Sequence, residues 1–144
     1  MKKLFPSFVL LFMASMFSSC GSTSTISMDT LSASAWELEY ITGTRIAFEG
    51  LFPEKKPTLD FRLGKGVLGG NTGCNGFSTS VSINGDKIKI DENHPMTMRY
   101  CEGGGEQQFL KMLYKADQFK IDEDGKLVLL MNGIESMRFH KIND

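Results

Sequence analysis

The sequence holds little that would furnish a reaction centre. Its 144 residues include two histidines and three cysteines. The cysteines, Cys20, Cys74 and Cys101, have no C-x-x-C spacing, which removes the motif that tunes thiol pKa in oxidoreductases. No pair among Cys74, Cys101, His94 and His140 has the short spacing of zinc ligands. There is no G-x-S-x-G elbow for a nucleophilic serine. Lysine and arginine (16) do not outnumber aspartate and glutamate (17), and the sequence pI is about 6.1, so nothing points toward nucleic acid. The longest largely apolar run, residues 4–17, falls short of the ~20 residues that span a bilayer core. The length excludes a barrel enzyme or a two-domain dehydrogenase and fits one domain. No internal repeat is present. What remains is 41% hydrophobic and 23% charged, enough for a packed core rather than wholesale disorder.

The first residues read as an address. Lys2 and Lys3 form a positive n-region, residues 4–17 an apolar h-region, and Ser18 and Ser19 lead to Cys20. This is the layout of a secretory signal peptide over residues 1–19. Ser18-Ser19-Cys20-Gly21 resembles a bacterial lipobox, with Phe17 where leucine is usual, and that resemblance implies lipidation at Cys20. Three acyl chains would anchor the chain stably in a membrane. Residues 20–34 are small and polar and read as the lipidated cysteine plus a flexible tether. Without Lys2 and Lys3 the mature chain carries 14 basic and 17 acidic side chains, a formal charge of −3. No acidic run follows Cys20. By analogy with other bacterial lipoproteins, this places the protein in the cell envelope, at the outer membrane facing the periplasm.

From Ala35 the pattern becomes that of antiparallel strands. Leu59, Phe61 and Leu63 share one face, as do Phe77, Thr79, Val81 and Ile83 against Ser78, Ser80 and Ser82. Ile88 and Ile90 alternate with lysines. Asn84-Gly85, Asp124-Gly125 and Asn132-Gly133 are hairpin-turn dipeptides. One segment has helical period: residues 106–116 put Phe109, Met112, Leu113 and Ala116 on one side, with Glu106 in the first turn and Lys115 in the last. The expected fold is α+β and mostly antiparallel β, about eight strands as a meander or small barrel-like sheet with one amphipathic helix, over residues 35–142.

An ordered set of segments resembles the META domain, the HslJ-like family. It comprises Trp36-Glu37-Leu38, then PTLDF at 57–61, GGNTGCNGF at 69–77 and MTMRYC at 96–101. Glu106 follows at the head of a helix, and Phe139 sits near the end of the last strand. Tyr100 stands where a smaller residue often precedes the second cysteine. The resemblance implies an envelope or secreted setting, often tied to stress or antibiotic tolerance, and no established enzymatic activity.

The candidate chemistry is sparse. Cys74 and Cys101, an even pair once Cys20 is lipidated, suit one disulfide in an oxidising compartment, with two buried free thiols as the alternative. Asn71 and Asn75 flank a glycine-rich turn; they read as turn-builders, with a ligand-binding turn as the second reading. Gly69, Gly70 and Gly73 are expected to permit a bulge or sharp bend. They do not make a phosphate loop, because the lysine and Ser/Thr of one are missing. Asp122-Glu123-Asp124-Gly125 fails the calcium-loop pattern at its sixth and twelfth positions and reads as a solvated turn. His94, before Pro95, belongs in a loop, and His140 on a half-exposed strand face. Glu37 and Glu39 read as solubilising charge. Met96 and Met98 are expected by default to pack in the core, with an adaptable surface as the alternative. These readings lead to a non-catalytic envelope domain with no catalytic residue, metal or cofactor, binding a protein or an envelope component. The alternative is a small inhibitor or protective factor acting on a hydrolase or a toxic small molecule.

Overall fold

Period-two patterning decides which side of each strand turns inward, and the strands it builds close on themselves. In the computed structural model, which describes residues 28–142, eight antiparallel strands form one barrel. They are β1 (Ala35–Ile41), β2 (Thr58–Asp60), β3 (Val67–Asn71), β4 (Gly76–Asn84), β5 (Lys87–Ile90), β6 (Gln118–Ile121), β7 (Leu127–Met131) and β8 (Ile134–Ile142). Each pairs with the next, and β8 returns to pair with β1. Three short helices accompany them: α1 (Met28–Leu31), α2 (Phe48–Leu51) and α3 (Gly105–Lys115). The mostly antiparallel β expectation therefore holds, with the sheet closed into a ring. The leader, Cys20 and most of the proposed tether lie outside the described residues.

Alternation works as the sequence suggests along β4, where Phe77, Thr79 and Val81 are buried and Ser78, Ser80 and Ser82 exposed, and along β5 with Ile88 and Ile90. It fails at Leu63, which is 59% exposed. The cause is local. The Asp60 carboxylate accepts the Arg62 backbone N–H at 2.8 Å and its guanidinium at 3.0 Å, so the chain turns at once after β2. The side-chain bonds from Arg62 also hold the Asp60 carboxyl below its ordinary range, against the opposing effect of burial. At the β7–β8 hairpin, Asn132 and Gly133 both take positive φ, 54° and 78°, as a two-residue primed turn requires.

The interior is filled by Trp36, Phe61, Phe109, Phe119 and Phe139, all fully buried, so the barrel is a core and not a container. β5 and β6 meet at a single pair, Lys87 opposite Gln118. The amphipathic helix α3 packs beside this seam and points Phe109, Met112 and Leu113 inward, as its periodicity predicts. The tether ends earlier than the sequence suggests. Leu31 of α1 is fully buried, Trp36 Nε1 donates to its carbonyl oxygen at 2.9 Å, and Ser32 Oγ donates to Phe61 O at 3.2 Å. Residues 28–34 are part of the folded domain because Leu31 enters the core and Met28 packs against it.

The glycines of β3 have a different purpose from the expected bulge. The β2–β3 and β3–β4 registers run without a shift through Gly69 and Gly70. What Gly70 supplies is room, since a Cβ there would run into the Thr58 carbonyl oxygen and press on the Phe77 ring. Gly70→Ala is therefore expected to destabilise the domain by about 1–3 kcal/mol through overpacking. A denaturant midpoint unchanged from the parent protein would refute this.

Antiparallel strands sort the loops by end. One end gathers α1, the β2–β3 loop and the β4–β5 and β6–β7 turns. The other gathers the 42–57 segment with α2, the 72–75 turn, the 91–104 loop and the start of α3.

Candidate functional site

The second end of the barrel carries a dense polar arrangement. It begins with local turn chemistry. Asn71 Oδ1 accepts the Gly73 N–H at 2.8 Å, an Asx turn. Thr72 Oγ1 accepts the Asn75 N–H at 2.9 Å and the Cys74 N–H at 3.3 Å, then donates its own proton to Glu106 Oε2 at 2.5 Å. The turn is thereby tied to the first residues of α3.

Asn75 is the hub. It is only 2% exposed. Its Nδ2 donates to Arg99 O and to Glu106 Oε2, both at 2.9 Å, and its Oδ1 accepts from Arg99 N at 2.7 Å and Thr97 Oγ1 at 3.0 Å. A carboxamide has two donors and two acceptor sites, and here all are engaged. Cys74 and Cys101 are joined in a disulfide with Cα atoms 5.9 Å apart, within the usual span. One buried amide and one covalent bridge thus hold β4, the 91–104 loop and α3 together.

Beside the bridge runs a half-open groove of about 640 Å³. Phe52, Glu54, Arg99, Tyr100, Glu102 and Glu106 are among its walls. Met98 and Tyr100, the large side chains of the loop, stand 90% and 86% exposed. The methionines divide accordingly: Met96 packs against the core and Met98 faces out.

The other sequence candidates are placed elsewhere. His94 lies in the loop, stacked obliquely on Phe77, with Nε2 2.6 Å from the Tyr114 hydroxyl. Burial pushes the Tyr114 phenol above its ordinary value of 10.0, helped by the nearby Glu92 and Glu106 charges. Folding therefore favours the neutral phenol. This contribution is complete below the ordinary tyrosine range and is lost as pH rises through the raised value. Tyr114→Phe is expected to remove a phenol that titrates above the ordinary value from a 295 nm absorbance titration and to reduce the alkaline fall in Tm. An unchanged titration curve would sink the assignment. His140 sits on the outer barrel face between Glu37 (3.6 Å) and Glu39 (3.7 Å), where Lys126 also bonds Glu39 at 2.7 Å. Asp122 Oδ1 accepts the N–H groups of Asp124 and Lys126, which makes residues 122–126 a self-bonded turn. Among the described residues no group of three or more His, Cys, Asp or Glu is arranged to hold a metal.

The structure brings together Asn71, Cys74, Asn75 and Cys101, all singled out by the sequence. It adds Thr72, Thr97, Arg99 and Glu106. Thr72 three residues before Asn75 is a spacing that local turn chemistry recognises. The Asn75–Glu106 bond joins residues 31 apart and has no local sequence signal.

The glycine-rich turn, the two cysteines and the helix-leading glutamate of this hub are the segments that carried the family resemblance. The sequence pattern of the META domain matches residues 29–144. The chain belongs to the META domain family. The match begins inside α1, in agreement with the buried Leu31. A solved structure described as the NMR structure of the protein from Burkholderia xenovorans is similar over 81% of this chain and 87% of that one. The two share 19% identity with a TM-score of 0.60, a likeness of fold alone. None of the curated proteins compared with this META domain protein matches it.

Proposed function

We propose that this META domain protein is a lipid-anchored, non-catalytic domain of the bacterial cell envelope that binds another protein or an envelope component. The observation that carries the reading is the division of labour at the disulfide end. The buried polar groups of Thr72 and Asn75 are committed to the protein's own bonds, while Met98 and Tyr100 on the pinned loop are presented to solvent. Large exposed side chains on a rigid loop suit recognition more than reaction. The described chain starts at α1, on the opposite end of the barrel. An anchor at Cys20 would join the domain through α1, at that end.

The test uses the full chain in a bacterial host. Labelled palmitate should enter the protein and be lost in Cys20→Ser, with the variant released from the membrane fraction. Photo-crosslinking side chains at a series of exposed positions should then give adducts at position 100 and none at Lys65, on the anchor end. No adduct at any position would overturn the binding reading, and retained label in the variant would overturn the anchor.

A further inference from the structure

Beyond Ile90 the chain continues along the same side of β4. The Asp91 N–H donates to Ser80 O at 3.0 Å. After an excursion through residues 92–95, Met96 stands opposite Phe77 as an antiparallel bridge, and the Thr97 N–H donates to Gly76 O at 3.2 Å. Next, the Asn75 side chain takes the place of a strand partner: it accepts the Arg99 N–H and donates to the Arg99 carbonyl. Thr97 and Arg99 therefore turn their backbone groups toward β4. In an antiparallel strand the groups of alternate residues point the other way. By that alternation the groups of Met98 and Tyr100 fall on the side away from β4, and among the described residues neither residue makes a hydrogen bond.

Residues 96–100 are thus an extended edge, fixed on one side by Asn75 and at its end by the disulfide, with the outer side unpaired. Proteins ordinarily cover or charge such edges. Here the outward positions carry Met98 and Tyr100. An edge already held extended is the template used in strand addition, where main-chain bonds supply affinity and flanking pockets supply specificity. The groove that Tyr100 lines has Glu54 and Glu102, with Glu106 already bonded to Thr72 and Asn75, against the single Arg99, so its charge favours a basic occupant. The geometry points to residues 96–100 as a docking edge for an extended, basic segment of another protein. That segment adds a strand along Met98 and Tyr100 and sets a lysine or arginine against Glu54 and Glu102. This rests on the binding-domain reading above and gives its partner a chemistry.

The probes are a capped alternating lysine–valine hexapeptide and its glutamate–valine counterpart, titrated into the full chain purified in detergent. The lysine–valine peptide is expected to bind at least tenfold more tightly and to slow amide exchange at Met98 and Tyr100. Met98→Pro removes an N–H that has no partner within the fold, so the protein should keep its Tm while the peptide affinity falls tenfold or more. Met98→Ala, which keeps the N–H, should lose much less. Equal binding by Met98→Pro, no preference between the peptides, or unprotected Met98 and Tyr100 amides would overturn the edge. The amide readout needs no variant and stands if Met98→Pro misfolds. Self-association of the chain that Met98→Pro abolishes would assign the edge to a second copy and also overturn the proposal. Crosslinks from the envelope at positions away from the loop would sink the edge and leave the binding-domain reading intact.

Discussion

Asn75→Ala is expected to lower stability by about 2–4 kcal/mol through the loss of its buried hydrogen bonds. The substitution removes the four hydrogen bonds to Thr97, Arg99 and Glu106, one of them to a carboxylate, together with a weaker one to Cys74 Sγ, and leaves the Arg99 backbone groups and Glu106 without that partner. Neutral bonds contribute about 1 kcal/mol net each and those to charged groups about 1.5–3, with partial compensation by water at the loop. Asn75→Asp should be worse than Asn75→Ala at neutral pH. It places a second carboxylate where Nδ2 now donates to Glu106 Oε2, and like charges repel strongly when partly buried. Urea unfolding under oxidising conditions checks both. The excess cost of the aspartate should shrink as acid protonates the carboxyls. If Asn75→Ala unfolds at the parental midpoint, the hub is not what holds the loop.

Reduction of Cys74–Cys101 is expected to lower stability by about 3.5 kcal/mol, as the chain-entropy account gives for a closed loop of this length. The bridge and Asn75 fasten the same segment from two sides. Their effects should therefore be less than additive, because a loop already freed by one loss has less to lose by the other. Reduced protein should also be cut by trypsin at Arg99 well before the barrel strands, since the freed loop has few buried contacts. The measurement is the intact mass after alkylation with and without prior reduction, followed by denaturant midpoints of both forms. Alkylation of both cysteines without reduction would remove the bridge from the account. Coincident midpoints would leave it without a stabilising role.

The alternating runs were sufficient to place β4 and β5, and the period of residues 106–116 was sufficient to place α3 and its buried face. Both signals are local: a strand or helix with one wet side must repeat apolar residues at its own period. Leu63 broke the pattern because Asp60 and Arg62 built a turn whose hydrogen bonds outweigh one exposed leucine. Residues 28–34 read as tether because composition averages over a window, and Leu31 and Met28 joining the core are invisible to an average. The glycines of β3 were legible as special, but the reason was not, since the atoms that exclude a Cβ at Gly70 come from Thr58 and Phe77 on two neighbouring strands.

At the candidate site, the cysteines and Asn71 and Asn75 were visible from residue type and the turn around them. The sequence by itself determined a mostly β chain with one amphipathic helix, the hairpin turns, and the two cysteines available to pair. The tertiary structure alone decided that the strands close into a barrel. Closure needs β8 to find β1, about a hundred residues away, and no periodicity encodes that partner. It alone decided that Asn75 is a buried hub, because the groups it satisfies come from a loop and a helix that only the closed fold brings beside it. And it alone left Met98 and Tyr100 outside, since the side of the 96–100 segment that faces β4 is fixed by bonds made across the chain.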